Sequence, residues 1–269
     1  MPEDKIGKIN QQLLDQPLIF LIRQIYRLLF IWPFQAVVSV ISYFKFYNLK
    51  ISNQTPQNFC FIVTSVIYIK QRDLNYTSKS SVYTPEERAA QTIKTIESIR
   101  AKAPGAKIIL LEVGLQKNLP LDLENKVDQY VYLGDKFLVR KASDSKFKSL
   151  SEAVMLLHAK KYIKSDADVF IKICGRYVLD ENFNLDSWRN NLFRLFYIRP
   201  DYVSTRLYSL GKQMLPIWYF VLIKGLPLLL LGYPIEHILA RYIPKKYIVQ
   251  AEKIGLMGAD ATSGQAVKE

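Results

Sequence analysis

The feature that most limits what this chain can fold into is an alternation of apolar runs and amphipathic stretches between residues 59 and 174. Phe59–Ile69 (FCFIVTSVIYI) is β-branched and aromatic, the composition of a buried strand. Thr84 then precedes Pro85-Glu86-Glu87: a hydroxyl cap, a proline in the first position and acids in the first turn. A helix is predicted from there to about Lys102, stopping before Pro104-Gly105. Ala106–Val113 and Val127–Leu133 predict a second and a third strand. Ser149–Ile163 predicts a helix with Leu150, Val154, Leu157 and Tyr162 among its apolar positions, and Ser149 with Glu152 as its capping box. Val169–Cys174 predicts a fourth strand. Such alternation implies an α/β fold with a mainly parallel sheet flanked by helices. Ligands in these sheets gather beyond the carboxyl ends of the strands. Thr64, Ser65, Glu112 and Gly175-Arg176-Tyr177 are therefore expected together at one edge.

At 269 residues the chain can bury one α/β core and carry an appendage. Its 49% apolar and 13% aromatic content excludes a disordered chain. The formal charge of +13 suits an anionic partner: nucleic acid, acidic lipid headgroups or a phosphorylated substrate. Nucleic acid is the least favoured, because the aromatics lie in apolar runs rather than between cations. Cys60 and Cys174 both sit in apolar runs and read as reduced core residues. With only His158 and His237 present, a three-histidine metal site is excluded.

Leu28–Phe44 carries no charge over seventeen residues, about 25 Å of helix against a hydrocarbon core of about 30 Å. Pro33, Gln35, Ser39 and Ser42 weaken a spanning reading, and Arg23 and Arg27 share one helical face, so a helix lying in the interface is expected. A cleavable leader is not expected, since Glu3, Asp4 and Asp15 precede the apolar run. A second apolar stretch, Met214–Leu231, is divided by Pro216, Lys224, Gly225 and Pro227 and flanked by Arg199, Arg206, Lys212, Arg241, Lys245 and Lys246. Both segments are expected to attach the chain to an anionic membrane surface as a peripheral or monotopic protein on the cytoplasmic face. The competing reading makes both of them core helices. The chain then divides into a membrane-associating helical segment (1–50), a core (59–198) and a C-terminal region (199–269).

The stretch FIKICGRYVLDENF (Phe170–Phe183), with Arg88, Gln91-Thr92 and Thr95–Arg100 upstream, resembles a group of bacterial and viral glycosyltransferase-like proteins. Those proteins carry a Lys-Ile-Ser-Gly-Arg-Tyr segment; here Cys174 stands in place of the serine. The order of elements over about residues 59–183 resembles the nucleotide-binding half of a GT-A glycosyltransferase, with a looser match through Gly258. The resemblance implies a nucleotide-sugar donor and a membrane lipid or lipid-linked glycan as acceptor. It implies donor contacts at Thr64, Ser65, Arg88, Glu112, Gly175, Arg176 and Tyr177, with Lys146 and Lys148 facing phosphate. For Glu112 a strand-end turn, and for the lysines a solvated loop, remain the competing readings.

The family's Asp-x-Asp metal motif is missing at the end of the fourth strand, where Gly175-Arg176-Tyr177 stands instead. Asp166-Ala167-Asp168 spells the motif but precedes the strand, as a turn would. Arg176 is expected to supply the positive charge that a metal otherwise brings, so no cofactor is required and a divalent metal is disfavoured, though left open. Glu236, after Tyr233-Pro234-Ile235, is either the catalytic base or a first-turn acid of a helix. Two other classes compete: a nucleotidyltransferase, disfavoured because Thr64–Asn75 holds no glycine, and a nonenzymatic membrane-bound scaffold.

Overall fold

The computed structural model describes residues 24–46, 54–163 and 166–269, together with Ile22, Leu49, Ile51 and Ser52. The chain forms two compact units, Met1–Leu49 and Lys50–Glu269. In the first, a π-helical turn over Arg27–Ile31 leads into helix α1, Trp32–Phe46. Gln24–Ser42 is a helical stretch of 19 residues with mean hydropathy 1.5, long and apolar enough by composition to cross a membrane. The helix starts before Leu28, so the apolar span is longer than the charge-free run suggests. Its serines are absorbed into the backbone: Ser39 Oγ donates to Gln35 O and Ser42 Oγ to Val38 O, each one turn back. Leu29, Phe30, Trp32, Val37, Val40 and Phe44 are exposed. Arg23 and the acids at 3, 4 and 15 lie outside the described residues.

The second unit is built on an eight-stranded sheet. Strands β1 (Phe59–Ser65), β2 (Lys107–Glu112), β3 (Gln129–Tyr132) and β4 (Val169–Cys174) pair in parallel in the order β3-β2-β1-β4. The register sets Ser65 opposite Glu112 and Thr64 opposite Cys174, so the carboxyl ends of β1, β2 and β4 lie level. β1 ends at Ser65 rather than Ile69, because Ile67 N turns aside to the Glu112 carboxylate.

Beyond β4 the sheet turns antiparallel. After the short β5 (Tyr177–Leu179) come β6 (Phe193–Arg199), β7 (Tyr202–Val203) and β8 (Leu207–Gly211). β8 inserts between β4 and β6, and β9 (Ile248–Ala251) runs parallel to β6. Residues from both sides of position 199 thus build one sheet. β5 joins a separate three-stranded sheet with β10 (Leu256–Ala259) and β11 (Ala266–Lys268).

Helix α2 (Pro85–Lys102) is held at its start by a full capping box: Glu87 N donates to Thr84 Oγ1 at 3.2 Å, and Thr84 N to Glu87 Oε2 at 2.8 Å. It buries Ala89, Ile96 and Ile99 in one cluster with Phe61, Val63, Ile108, Leu110, Ile171 and Ile173, alternate residues of three strands. Helices α3 (Phe137–Ser143) and α4 (Lys148–Ala159) follow. The capping box expected at Ser149 does not form; α4 begins one residue earlier, after Phe147, and Ser149 falls inside its first turn.

Met214–Leu231 is not divided. Helix α5 (Leu215–Leu229) runs through Gly225 and Pro227 and buries Trp218, Val221, Leu222, Leu228 and Leu229 in the body of the protein. Pro216 sits in the first turn, where a missing N–H costs nothing. Gly225 lies against Ile238 of helix α6 (Ile235–Tyr242), where any side chain would collide. The core-helix reading is therefore the one realised by α5.

Candidate functional site

A cleft opens at the level carboxyl ends of β1 and β4, roofed by the first turns of α2 and α4 and by α3. Thr64 and Ser65 form part of its floor. Gly175 N donates to Thr64 O at 2.9 Å, and Gly175 O accepts from Thr92 Oγ1 at 2.8 Å. A Cβ at position 175 would stand 3.0 Å from that hydroxyl, so the close approach of α2 favours glycine there.

Lys70, Arg72, Arg88, Arg140, Lys148 and Arg176 line the cleft, against only Asp144 and Glu152. Backbone carbonyls orient three of these cations. Arg72 Nε donates to Ser145 O at 2.8 Å, Arg140 Nε to Gly134 O at 3.0 Å, and Arg88 Nε to Val66 O. Burial and the neighbouring Arg176 bring the Arg88 guanidinium down to about 9, with Glu112 opposing. Protein atoms crowd the Lys148 ammonium and, with Arg176, push it below its ordinary range, although its surface stays open along the cleft. Among the described residues, neither Arg176 nor Lys148 has a carboxylate within ion-pair distance. Like charges held this close repel, and an anion with several oxygens would relieve that repulsion.

The structure thus brings together Thr64, Ser65, Arg88, Lys148, Gly175 and Arg176. It does not bring Glu112, Lys146 or Tyr177 to the wall. Glu112 is fully buried and its oxygens are spent: Ser65 Oγ donates to Oε2, while Ile67 N and Gly114 N donate to Oε1. Burial raises its pKa against those bonds, and its work is to shape the loop after β1. Tyr177 is 2% exposed in β5, where its hydroxyl accepts from Arg206 Nε at 3.1 Å. Lys146 is exposed, its ammonium 5.5 Å from the centre of the Phe147 ring.

Glu236 stands in the first turn of α6, off the cleft wall, where its Oε1 accepts from Thr205 Oγ1 at 2.8 Å. Burial and the Glu152 charge raise its pKa, while Thr205 and Lys148 pull the other way. Lys70, Arg72, Arg140 and Asp144 of the lining carry no signal in the sequence, and Glu152 is expected only as a capping acid. Arg140 sits on α3, a helix of 7 residues with no capping signature to announce it.

Asp168 lies at the opposite end of β4, where its Oδ2 accepts from Gln57 N at 2.9 Å and Asn58 N at 3.1 Å. At the cleft end of β4 stand Cys174, Gly175 and Arg176, which bring no carboxylate to hold Mg²⁺ or Mn²⁺. Among the described residues no group of three or more His, Cys, Asp or Glu side chains converges.

No protein-family model and no curated protein matches the sequence. Among solved structures, a glycosyltransferase involved in the glycosylation of the major capsid of PBCV-1 is similar over 72% of this chain and 81% of its own, at 11% identity and a TM-score of 0.41. The galactosyltransferase LgtC, in complex with donor and acceptor sugar analogues, is similar over 71% and 73%, at 11% identity and a TM-score of 0.44. At these values no residue role carries across, and the chemistry has to come from the cleft's own side chains.

Proposed function

We propose that the protein is a glycosyltransferase that moves a sugar from a nucleotide-sugar donor to a membrane lipid or lipid-linked glycan. The observation that carries this is the cation-lined cleft at the strand ends, with Arg176 and Lys148 unpaired inside it. A diphosphate answers that charge, and the arginine fork can meet two of its oxygens at once. In the reaction the acceptor hydroxyl attacks the anomeric carbon as the bond to the diphosphate breaks. Arg176 and Lys148 stabilise the charge growing on the leaving group, and Glu236, behind the cleft wall where the Glu152 and Lys148 charges reach it, takes the hydroxyl proton. Charge stabilisation comes from these cations rather than from a divalent metal. The apolar helix of the first unit, with the basic balance of the chain, supports work at the cytoplasmic face of an anionic membrane.

A thermal-shift panel of nucleotide sugars, each with and without EDTA, tests the assignment. Stabilisation by at least one donor, unchanged by EDTA, is expected. No response to any common nucleotide sugar at millimolar concentration would overturn it.

A further inference from the structure

Lys172, inside the motif Lys172-Ile173-Cys174-Gly175-Arg176-Tyr177, has no role in the chemistry above. It occupies the middle of β4, is 0% exposed, and points to the α4 side of the sheet. Its ammonium donates to the Glu152 carboxylate, to Thr205 O at 2.7 Å and to Cys174 Sγ at 3.0 Å. Three acceptors use its three N–H groups. Burial works against its charge, but its contacts with Cys174 Sγ and the Glu152 carboxylate outweigh burial and raise its pKa. Apolar side chains replacing Lys172 and Glu152 together would fill this place at little electrostatic cost, so stability alone does not explain the pair.

Glu152 does. It is an acid in the wall of a cleft otherwise dominated by cations, and it sits one helical turn after Lys148 on α4. At that spacing the two side chains lie on one face and can reach each other. They do not pair: the carboxylate is drawn back to Lys172, and Lys148 has no ion-pair partner among the described residues.

We propose that Lys172 is a positioning residue that sequesters the Glu152 carboxylate, leaving Lys148 and Arg176 free for a diphosphate. This rests on the nucleotide-sugar reading, but it is tested with inorganic pyrophosphate, which probes the anion site without the nucleoside. Calorimetric titration of the full chain with pyrophosphate and with UDP should show both binding the wild type. In Lys172→Met the released carboxylate swings onto Lys148, and pyrophosphate affinity falls by about tenfold or more. Adding Glu152→Gln removes the stray charge, so the double variant K172M/E152Q should recover to within about threefold of wild type although the lysine is still missing. A purely structural lysine would lower the melting temperature of K172M while leaving the pyrophosphate affinity of the folded fraction unchanged.

A double variant as weak as K172M, or a K172M that binds as wild type does, would overturn the proposal. E152Q alone keeps it testable if K172M does not fold: it should bind pyrophosphate as tightly as wild type or more tightly. A tenfold loss there would instead make Glu152 a ligand contact and end the argument for sequestration. Pyrophosphate binding and rescue without affinity for any nucleoside diphosphate would sink the glycosyltransferase reading and spare this one. A wild type that binds no pyrophosphate would overturn this proposal, and with it the glycosyltransferase reading only if UDP fails to bind as well.

Discussion

A cation cannot ligate Mg²⁺ or Mn²⁺, and Arg176 occupies the strand end where a metal-holding acid would stand. Arg176→Ala should therefore cost about 100-fold or more in turnover, on the order of 3 kcal/mol, with activity unchanged by excess EDTA. Steady-state rates with and without chelator decide this; EDTA abolishing activity while Arg176→Ala spares it would return the metal to Asp166 and Asp168. Asp168→Ala should instead act on stability. The amides of Gln57 and Asn58 hold the Asp168 carboxyl below its ordinary range, so around that range the folded chain binds fewer protons than the unfolded one. The stabilisation is present above about pH 4 and fades as the pH falls through the lowered value. Denaturant melts should show Asp168→Ala about 1 kcal/mol less stable at neutral pH, with the gap closing in acid. Gly175 and Arg176 could be placed from the sequence because strand ends are legible from periodicity. Glu112 was placed at the same edge but its direction was not, since a register position does not say whether a carboxylate turns to a ligand or to its own loop.

At the scale of elements, legibility followed the strength of local signals. α2 was readable to the residue because Thr84, Pro85 and Glu87 each favour the same start, and Thr84→Ala should cost about 1 kcal/mol by thermal or urea denaturation. A null effect on the melt would mean that tertiary packing alone sets the helix start. α4 shows the limit: Ser149 and Glu152 have capping-box spacing, yet Glu152 is drawn to Lys172 and cannot reach back to the helix start. The antiparallel strands went unread for another reason. β6 does alternate at its start, with Phe193 and Leu195 buried and Arg194 and Phe196 less so, but its exposed end blurs the period. β10 and β11 are too short for any period to show. In α5 the residues that suggested breaks are tolerated because Pro216 falls in the first turn and Gly225 packs against Ile238.

On the scale of the molecule, the apolar helix and the cation-lined cleft belong to separate units. Removing residues 1–49 should shift the protein from the membrane to the soluble fraction, checked by vesicle flotation with anionic lipid; unchanged flotation would move the attachment to the second unit. Arg176 itself is strung between two sheets. β4 ends two residues before it and β5 begins one residue after it, and β5 takes its register from β10, with Tyr177 opposite Gly258. The guanidinium is thus a rivet through two plates, and its aim is set by how they are fastened, not only by its neighbours in the chain. Loosening the C-terminal hairpin, far along the sequence from the cleft, would let the rivet tilt and register first as a lost grip on phosphate.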